Sequence, residues 1–253
     1  MKKSNTKGLF ALLTALLFIS YTVFNLCRVT VETARSGSNY TTCFESYADT
    51  TASGVKLNEY SKLGTALGDY FSGKADTPQV TVTKTEGEAD AYSEKELAHL
   101  ADVKELLSRL SVVRYILLVI SAAFAGLLTW LYLKRSPKDE KERDQWVRVT
   151  VWPGVLIGVG IAVLLFLALG AWAYFNFDGL FVTLHKLLFD NDLWLLNPQT
   201  DLLIQLMPTH LFVNLAWAII KDAAKNPAIL AVLCILAAIV LKRSEKKEKE
   251  KAK

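Results

Sequence analysis

Cysteine and histidine are scarce in this chain, three of each in 253 residues, and none of the histidines belongs to an HExxH pattern. No paired CxxC, no GxSxG elbow and no Walker phosphate loop occurs either, so metalloprotease, zinc-site and nucleotide readings have little support. Two histidines alone are a weak metal site, and the sequence implies no metal and no cofactor. Charge is also missing, over long distances. Gly8–Cys27 is 20 residues without one, Val112–Leu133 is 22 with only Arg114, Val151–Phe175 is 25 with none, and Pro227–Leu241 is 15 with none. A hydrocarbon core of ~30 Å takes about 20 helical residues, so the first three blocks read as spanning helices. The fourth spans with flanking residues or with Lys242 and Arg243 snorkelling.

The basic residues fix an orientation. Three precede Gly8, six lie between Lys134 and Arg148, and seven follow from Lys242, whereas the two long remaining segments hold 12 basic and 18 acidic residues. Short basic loops stay cytoplasmic, which puts both termini inside and the long segments outside. The expected fold is an all-α membrane protein with four transmembrane helices, a small outer α+β cap and interfacial helices. Its parts are residues 1–27 (cytoplasmic N-terminus and first span), 28–110 (extracellular cap with an interfacial helix) and 111–175 (second and third spans with a cytoplasmic loop). Residues 176–226 form an extracellular interfacial segment, and 227–253 the fourth span with a basic cytoplasmic tail. The net charge of +4 sits in that lysine tail and suits anionic membrane lipid or water, not nucleic acid. Lys2 and Lys3 ahead of the first block resemble a secretory signal, but Leu26 precedes Cys27 where a lipoprotein processing site needs a small residue, so a retained helix is expected. Cys27 and Cys43 both fall on the oxidising side and are candidates for a structural disulfide.

The outer segments carry the polar chemistry. Lys56–Phe71 has helical apolar spacing and stops at Gly73–Pro78; Thr77–Thr85 alternates like a strand, and TEGEAD reads as a loop. Ser93 and Glu96 form a capping box that starts the next helix. In it His99 lies within the arc of Leu100, Val103, Leu106, Leu107 and Leu110, with Asp102 at the edge. An apolar face held about 20 Å outside a bilayer is costly, so a bend near Ser108–Ser111 is expected to lay this helix along the membrane. The second outer segment, NFDGLFVTLHKLLFDNDLWLLNPQTDLLIQLMP, has almost no solvated run; His185 sits among apolar residues and Trp194 suits the headgroup level. The bland alternative is that His99 and His185 merely pack, and that Asn191, Asp192 and Asp201 cap helices or make turns. His210 precedes an apolar helix and is the least informative of the three; Pro227 is expected to open the fourth helix.

HLADVKELL, followed later by LHKLLFDNDLWLLNPQTDLLIQLMP, closely resembles the lipoprotein intramolecular transacylases of Gram-positive bacteria. The likeness lies in an HxxDV segment before the second span and a second outer loop with a histidine, an Asn-Asp-x-Trp stretch, a proline and an aspartate; it also takes in LNEYSKLGTALGDYFSGK. Asn197 departs from the aspartate common there and is given no role. The resemblance implies a multi-pass cell-membrane enzyme whose active site faces outward and whose substrates are diacylglyceryl-modified lipoproteins. It implies transfer of the sn-2 acyl chain from glycerol oxygen to the free α-amine of the N-terminal cysteine, giving the lyso form. Positioning matters more than a cofactor in an intramolecular step. His185 is then the expected base, and His99 the acid or electrostatic partner oriented by Asp102, with exchanged roles an alternative. The second imidazole or Arg28 would meet the oxyanion, and Asn191, Asp192, Trp194 and Asp201 would support. Competing readings are a non-catalytic interaction or lipid-binding membrane protein and a metal-dependent membrane hydrolase.

Overall fold

Apolar helices dominate the computed structural model, which describes residues 3–48 and 50–251. Helices α1 (Lys3–Ala34), α2 (Gly37–Tyr47) and α3 (Thr50–Ser53) are followed by a 3-10 turn (Leu57–Glu59) and α4 (Tyr60–Ser72). A hairpin of β1 (Thr81–Lys84) and β2 (Gly87–Asp90) leads to α5 (Glu94–Arg135), α6 (Glu140–Thr150) and α7 (Trp152–Phe175). Helices α8 (Phe177–Leu188), α9 (Leu202–Leu206) and α10 (Thr209–Lys251) complete the order. Three helical stretches among the described residues are long and apolar enough to cross a membrane: Thr6–Ala34, Glu94–Arg135 and Glu140–Phe175.

Two compact units are distinguishable. One comprises the chain through Cys27, Val113–Ala168 and the residues from Lys221. In it Gly154 and Gly158 let α7 approach α1 closely, since a Cβ at Gly154 would meet the Ala11 carbonyl and one at Gly158 the Phe18 side chain. Small residues serve this purpose where apolar helices gain nothing by hiding from lipid. Polar groups on α1 are paired with other helices of this unit: the Ser20 hydroxyl meets that of Ser121 on α5 at 2.8 Å, and Asn226 on α10 donates to Asn25 at 2.9 Å.

The other unit, Arg28–Val112 with Leu169–Ile220, holds the larger core. Phe44, Tyr60, Leu63, Leu67, Leu202 and Leu206 are buried there. Helix α4 crosses α2 through glycines: a Cβ at Gly64 would collide with Thr41, and one at Gly68 with the Gly37 backbone. Gly73, at φ 81°, ends α4 in the left-handed region that only glycine enters freely.

Several expectations need correction. The segment read as a loop, TEGEAD, supplies a two-residue turn and the strand β2, which pairs antiparallel with β1 in the register Thr81↔Asp90. The strand itself starts at Thr81, four residues later than its alternation implied. Helix α5 runs unbroken through Ser108–Ser111, because the face expected to seek the membrane, Leu100 and Leu107 with Leu97 and Val103 beside them, is covered by the protein's own core. Pro227 lies inside α10 and does not open it. Cys27, Cys43 and Cys234 are free thiols. The fourth apolar block, Pro227–Leu241, continues along α10, and residues 252 and 253 of the lysine tail lie outside the described residues.

Candidate active site

Local sequence fixes where each imidazole sits. Ser93 and Glu96 close the capping box at the start of α5, the Glu96 carboxylate accepting the Ser93 N–H at 2.8 Å and the Ser93 hydroxyl accepting the Glu96 N–H at 3.4 Å. His99 follows one turn later. Asn176 caps α8 by accepting the Gly179 N–H at 2.9 Å, and His185 sits two turns on.

The two rings lie 6.2 Å apart, inclined at 34°. With each nitrogen about 1 Å from its ring centre, that exceeds the ~3.2 Å of a direct hydrogen bond and leaves room for a reacting group. Aromatic walls enclose the pair. Phe181 stands 4.0 Å from the His185 ring, Trp194 5.1 Å and Phe189 5.6 Å, and Phe189 also meets His99 at 5.4 Å. Spacing along α8 brings two of these walls, because Phe181, His185 and Phe189 are successive members of an i, i+4 series.

Protonation follows from these contacts. His185 Nδ1 lies 2.8 Å from the Phe181 carbonyl. A carbonyl only accepts, so Nδ1 carries the proton and Nε2 keeps its lone pair. Burial lowers the His185 pKa, with the Phe181 carbonyl acting in the opposite sense. His99, only 8% exposed, is pushed down to about 4, first by burial and then by His185, with Asp102 opposing and Lys95 adding a little. Both imidazoles are neutral at pH 7. His99 Nδ1 is moreover buried without a hydrogen-bond partner, an unusual state for a polar atom.

The remaining candidates divide. Asp102 accepts a 2.8 Å hydrogen bond from Asn191 Nδ2, while Asn191 Oδ1 accepts the Leu193 N–H at 3.0 Å and turns the chain so that Trp194 returns onto His185. Asp102 is therefore held by Asn191 and acts on His99 through its charge. The Asp192 carbonyl accepts the Leu195 N–H at 3.1 Å, and its side chain lines a cleft of about 540 Å³ with Lys186, Asp190 and Asn191. Phe189 and Trp194 wall both that cleft and His185. Asp201 folds the turn ahead of α9, accepting from Asn197 N–H at 2.7 Å and the Thr200 hydroxyl at 2.9 Å. Arg28 pairs with Glu32 one turn along its own helix at 2.6 Å. His210 is exposed and its carbonyl accepts from Asn214. Among the described residues no three His, Cys, Asp or Glu side chains are grouped to hold a metal ion. Sequence reasoning passed over Phe181 and Phe189 as site residues, although their spacing around His185 was there to read.

Known proteins share the fold. The profile described as "Lipoprotein intramolecular transacylase Lit" matches residues 7–212. A solved structure of the membrane-integral lipoprotein intramolecular transacylase Lit from Bacillus cereus superposes with a TM-score of 0.66 at 22% identity, covering 96% of this chain and 100% of that one. A structure of the same B. cereus protein carrying a histidine-to-arginine mutation gives 0.59 at 21% identity, covering 97% of this chain and 96% of that one. A histidine-to-alanine form gives 0.59 at 21%, covering 97% of each. No curated protein sequence matched.

Proposed function

This chain belongs to the lipoprotein intramolecular transacylase family Lit, and from that membership and the histidine pair we propose that it converts diacylglyceryl lipoproteins to their lyso form. In this reading the sn-2 acyl chain passes from its glycerol oxygen to the α-amine of the N-terminal cysteine in the same molecule. The observation that supports it most is the pairing of two neutral, walled imidazoles, one with Nε2 free to accept a proton and the other with an unpartnered buried nitrogen.

An α-amine of pKa near 8 is mostly protonated at neutral pH and must lose a proton to attack. His185 Nε2 takes it. The amine nitrogen then bonds to the ester carbonyl carbon, the C–O bond to glycerol breaks as that proton passes from His185 to the freed oxygen, and the nitrogen's surplus proton is released to solvent, leaving an amide and an sn-2 hydroxyl. His99 contributes an N–H toward the oxyanion or the departing oxygen, and as a neutral imidazole in a dry site it does so without a hydration shell to shed. Aromatic walls keep water, the competing nucleophile, away from the ester. Asp102 and Asn191 hold the two segments in place. The positive-inside pattern supports an extracellular site in a four-span protein with both termini in the cytoplasm.

Mass spectrometry of the N-terminal peptide of a reporter lipoprotein tests the reading in cells that otherwise leave it diacylated. Expression of this chain should yield an N-acyl, S-monoacylglyceryl product of unchanged total mass. An unaltered diacylglyceryl peptide with a free amine would leave the chain a lipid-binding or interaction protein.

A further inference from the structure

Glu96 accepts more hydrogen bonds than a helix cap requires. Its Oε2 takes both the Ser93 N–H and the Ser93 hydroxyl at 2.8 Å, and its Oε1 takes the Leu203 N–H at 2.6 Å. Only 2% of the residue is exposed. Leu203 is in the first turn of α9, where backbone N–H groups have no partner inside the helix. One carboxylate therefore caps two helices 107 residues apart in sequence. Helix α9 begins directly after the turn folded by Asp201, which closes the segment that lays Trp194 on His185. Glu96 itself precedes His99 by three residues, on the same side of α5. Two further contacts join the same partners: Lys95 donates to the Leu195 carbonyl, and Asn191 to Asp102, both from more exposed positions.

Resting on the transacylase reading, we propose that Glu96 is a positioning residue for the acyl transfer, fixing the register between His99 on α5 and the segment that holds Trp194 against His185. The separation of the two imidazoles then depends on this buried carboxylate. An ordinary capping role makes a different demand. Capping boxes accept glutamine as readily as glutamate, so a cap alone survives Glu96→Gln. The double cap does not, because three donors converge on two oxygens, and an amide would turn an N–H toward another N–H.

The test uses the full chain in lipid with a synthetic diacylglyceryl-cysteinyl peptide, comparing Glu96→Gln with Ser93→Ala. Glu96→Gln should lower kcat by about tenfold or more while KM stays within about twofold, since an ångström of misplacement is enough for such losses. Its helical content should match the parent. Ser93→Ala keeps the Glu96–Leu203 bond and should stay within about threefold of the parent. NMR titration of labelled histidine needs no substrate: in Glu96→Gln the His99 ring should titrate nearer the ordinary histidine range as water enters. Unchanged kcat and titration in Glu96→Gln, or an equal loss in Ser93→Ala, would overturn the proposal. Absence of acyl transfer by the parent chain overturns the transacylase reading instead, and the ring titration still decides the positioning. Should Glu96→Gln not accumulate, hydrogen exchange at the Leu203 amide of the parent decides it, slow exchange supporting the bond and fast exchange contradicting it.

Discussion

His185 and His99 differ in what holds them. The first has its tautomer set by the Phe181 carbonyl; the second is buried with an unpartnered nitrogen. Removing either should cost about 10² to 10⁴-fold in turnover, the range for a general acid or base, so His99→Ala and His185→Ala should each leave almost no lyso product at an equal protein level. The double variant should be little worse than either single one, because groups acting as a unit do not add. A merely packed histidine would instead show as lost protein, and exposed His210 is expected to tolerate alanine. The low pKa of His99 also makes stability depend on pH. Its folded value of about 4 lies below the ordinary 6.5, so the unfolded chain binds the proton more strongly. Stability from this residue is complete above pH 6.5 and falls as pH drops from there toward 4. Thermal midpoints across that window should decline more steeply in the parent than in His99→Asn; parallel declines would contradict the assignment. The helical arcs and apolar neighbours of both imidazoles were legible in the sequence. The Asp102–Asn191 and Glu96–Leu203 bonds were not, since they join residues 89 and 107 apart and no local pattern marks such a partner.

Between elements, one close contact is the crossing of α2 and α4, where Gly37, Gly64 and Gly68 bring the two backbones together. Gly68→Ala would place a methyl where the Gly37 backbone stands, and overpacking of that kind costs about 1–3 kcal/mol. A thermal unfolding scan should show a lowered midpoint for Gly68→Ala and none for Gly126→Ala, whose added Cβ meets nothing. An unshifted midpoint in Gly68→Ala would mean that the crossing is looser than described. Sequence reading located α4 and the capping-box start of α5 because periodicity and capping are local. It missed β2, where Gly87–Asp90 lacks β-branched residues and is defined by its pairing with β1. It also bent α5, assigning to lipid a face that the core of the same chain covers. The unbroken α10 was missed for a related reason: proline marks helix starts often enough that Pro227 inside a helix is legible only from the structure.

For the whole molecule, the charge asymmetry predicts an orientation with the α5–α6 connection in the cytoplasm. A cysteine replacing Lys138, which is exposed, should react with an impermeant thiol reagent only after cells are opened; labelling above the parent's background in intact cells would reverse the topology. Three spans and the family were legible from apolar run length and the paired outer motifs. The way the Arg28–Val112 and Leu169–Ile220 segments share one core was not. The central claim is that donor ester and acceptor amine belong to one substrate molecule, and a crossover experiment tests it most directly. Purified protein would be given two diacylglyceryl peptides together, one with a heavy peptide and heavy sn-2 acyl chain, the other light in both, and the N-acylated products weighed. The account predicts only heavy-on-heavy and light-on-light products, absent with His185→Ala; mixed products, or no product from the parent chain, would contradict it.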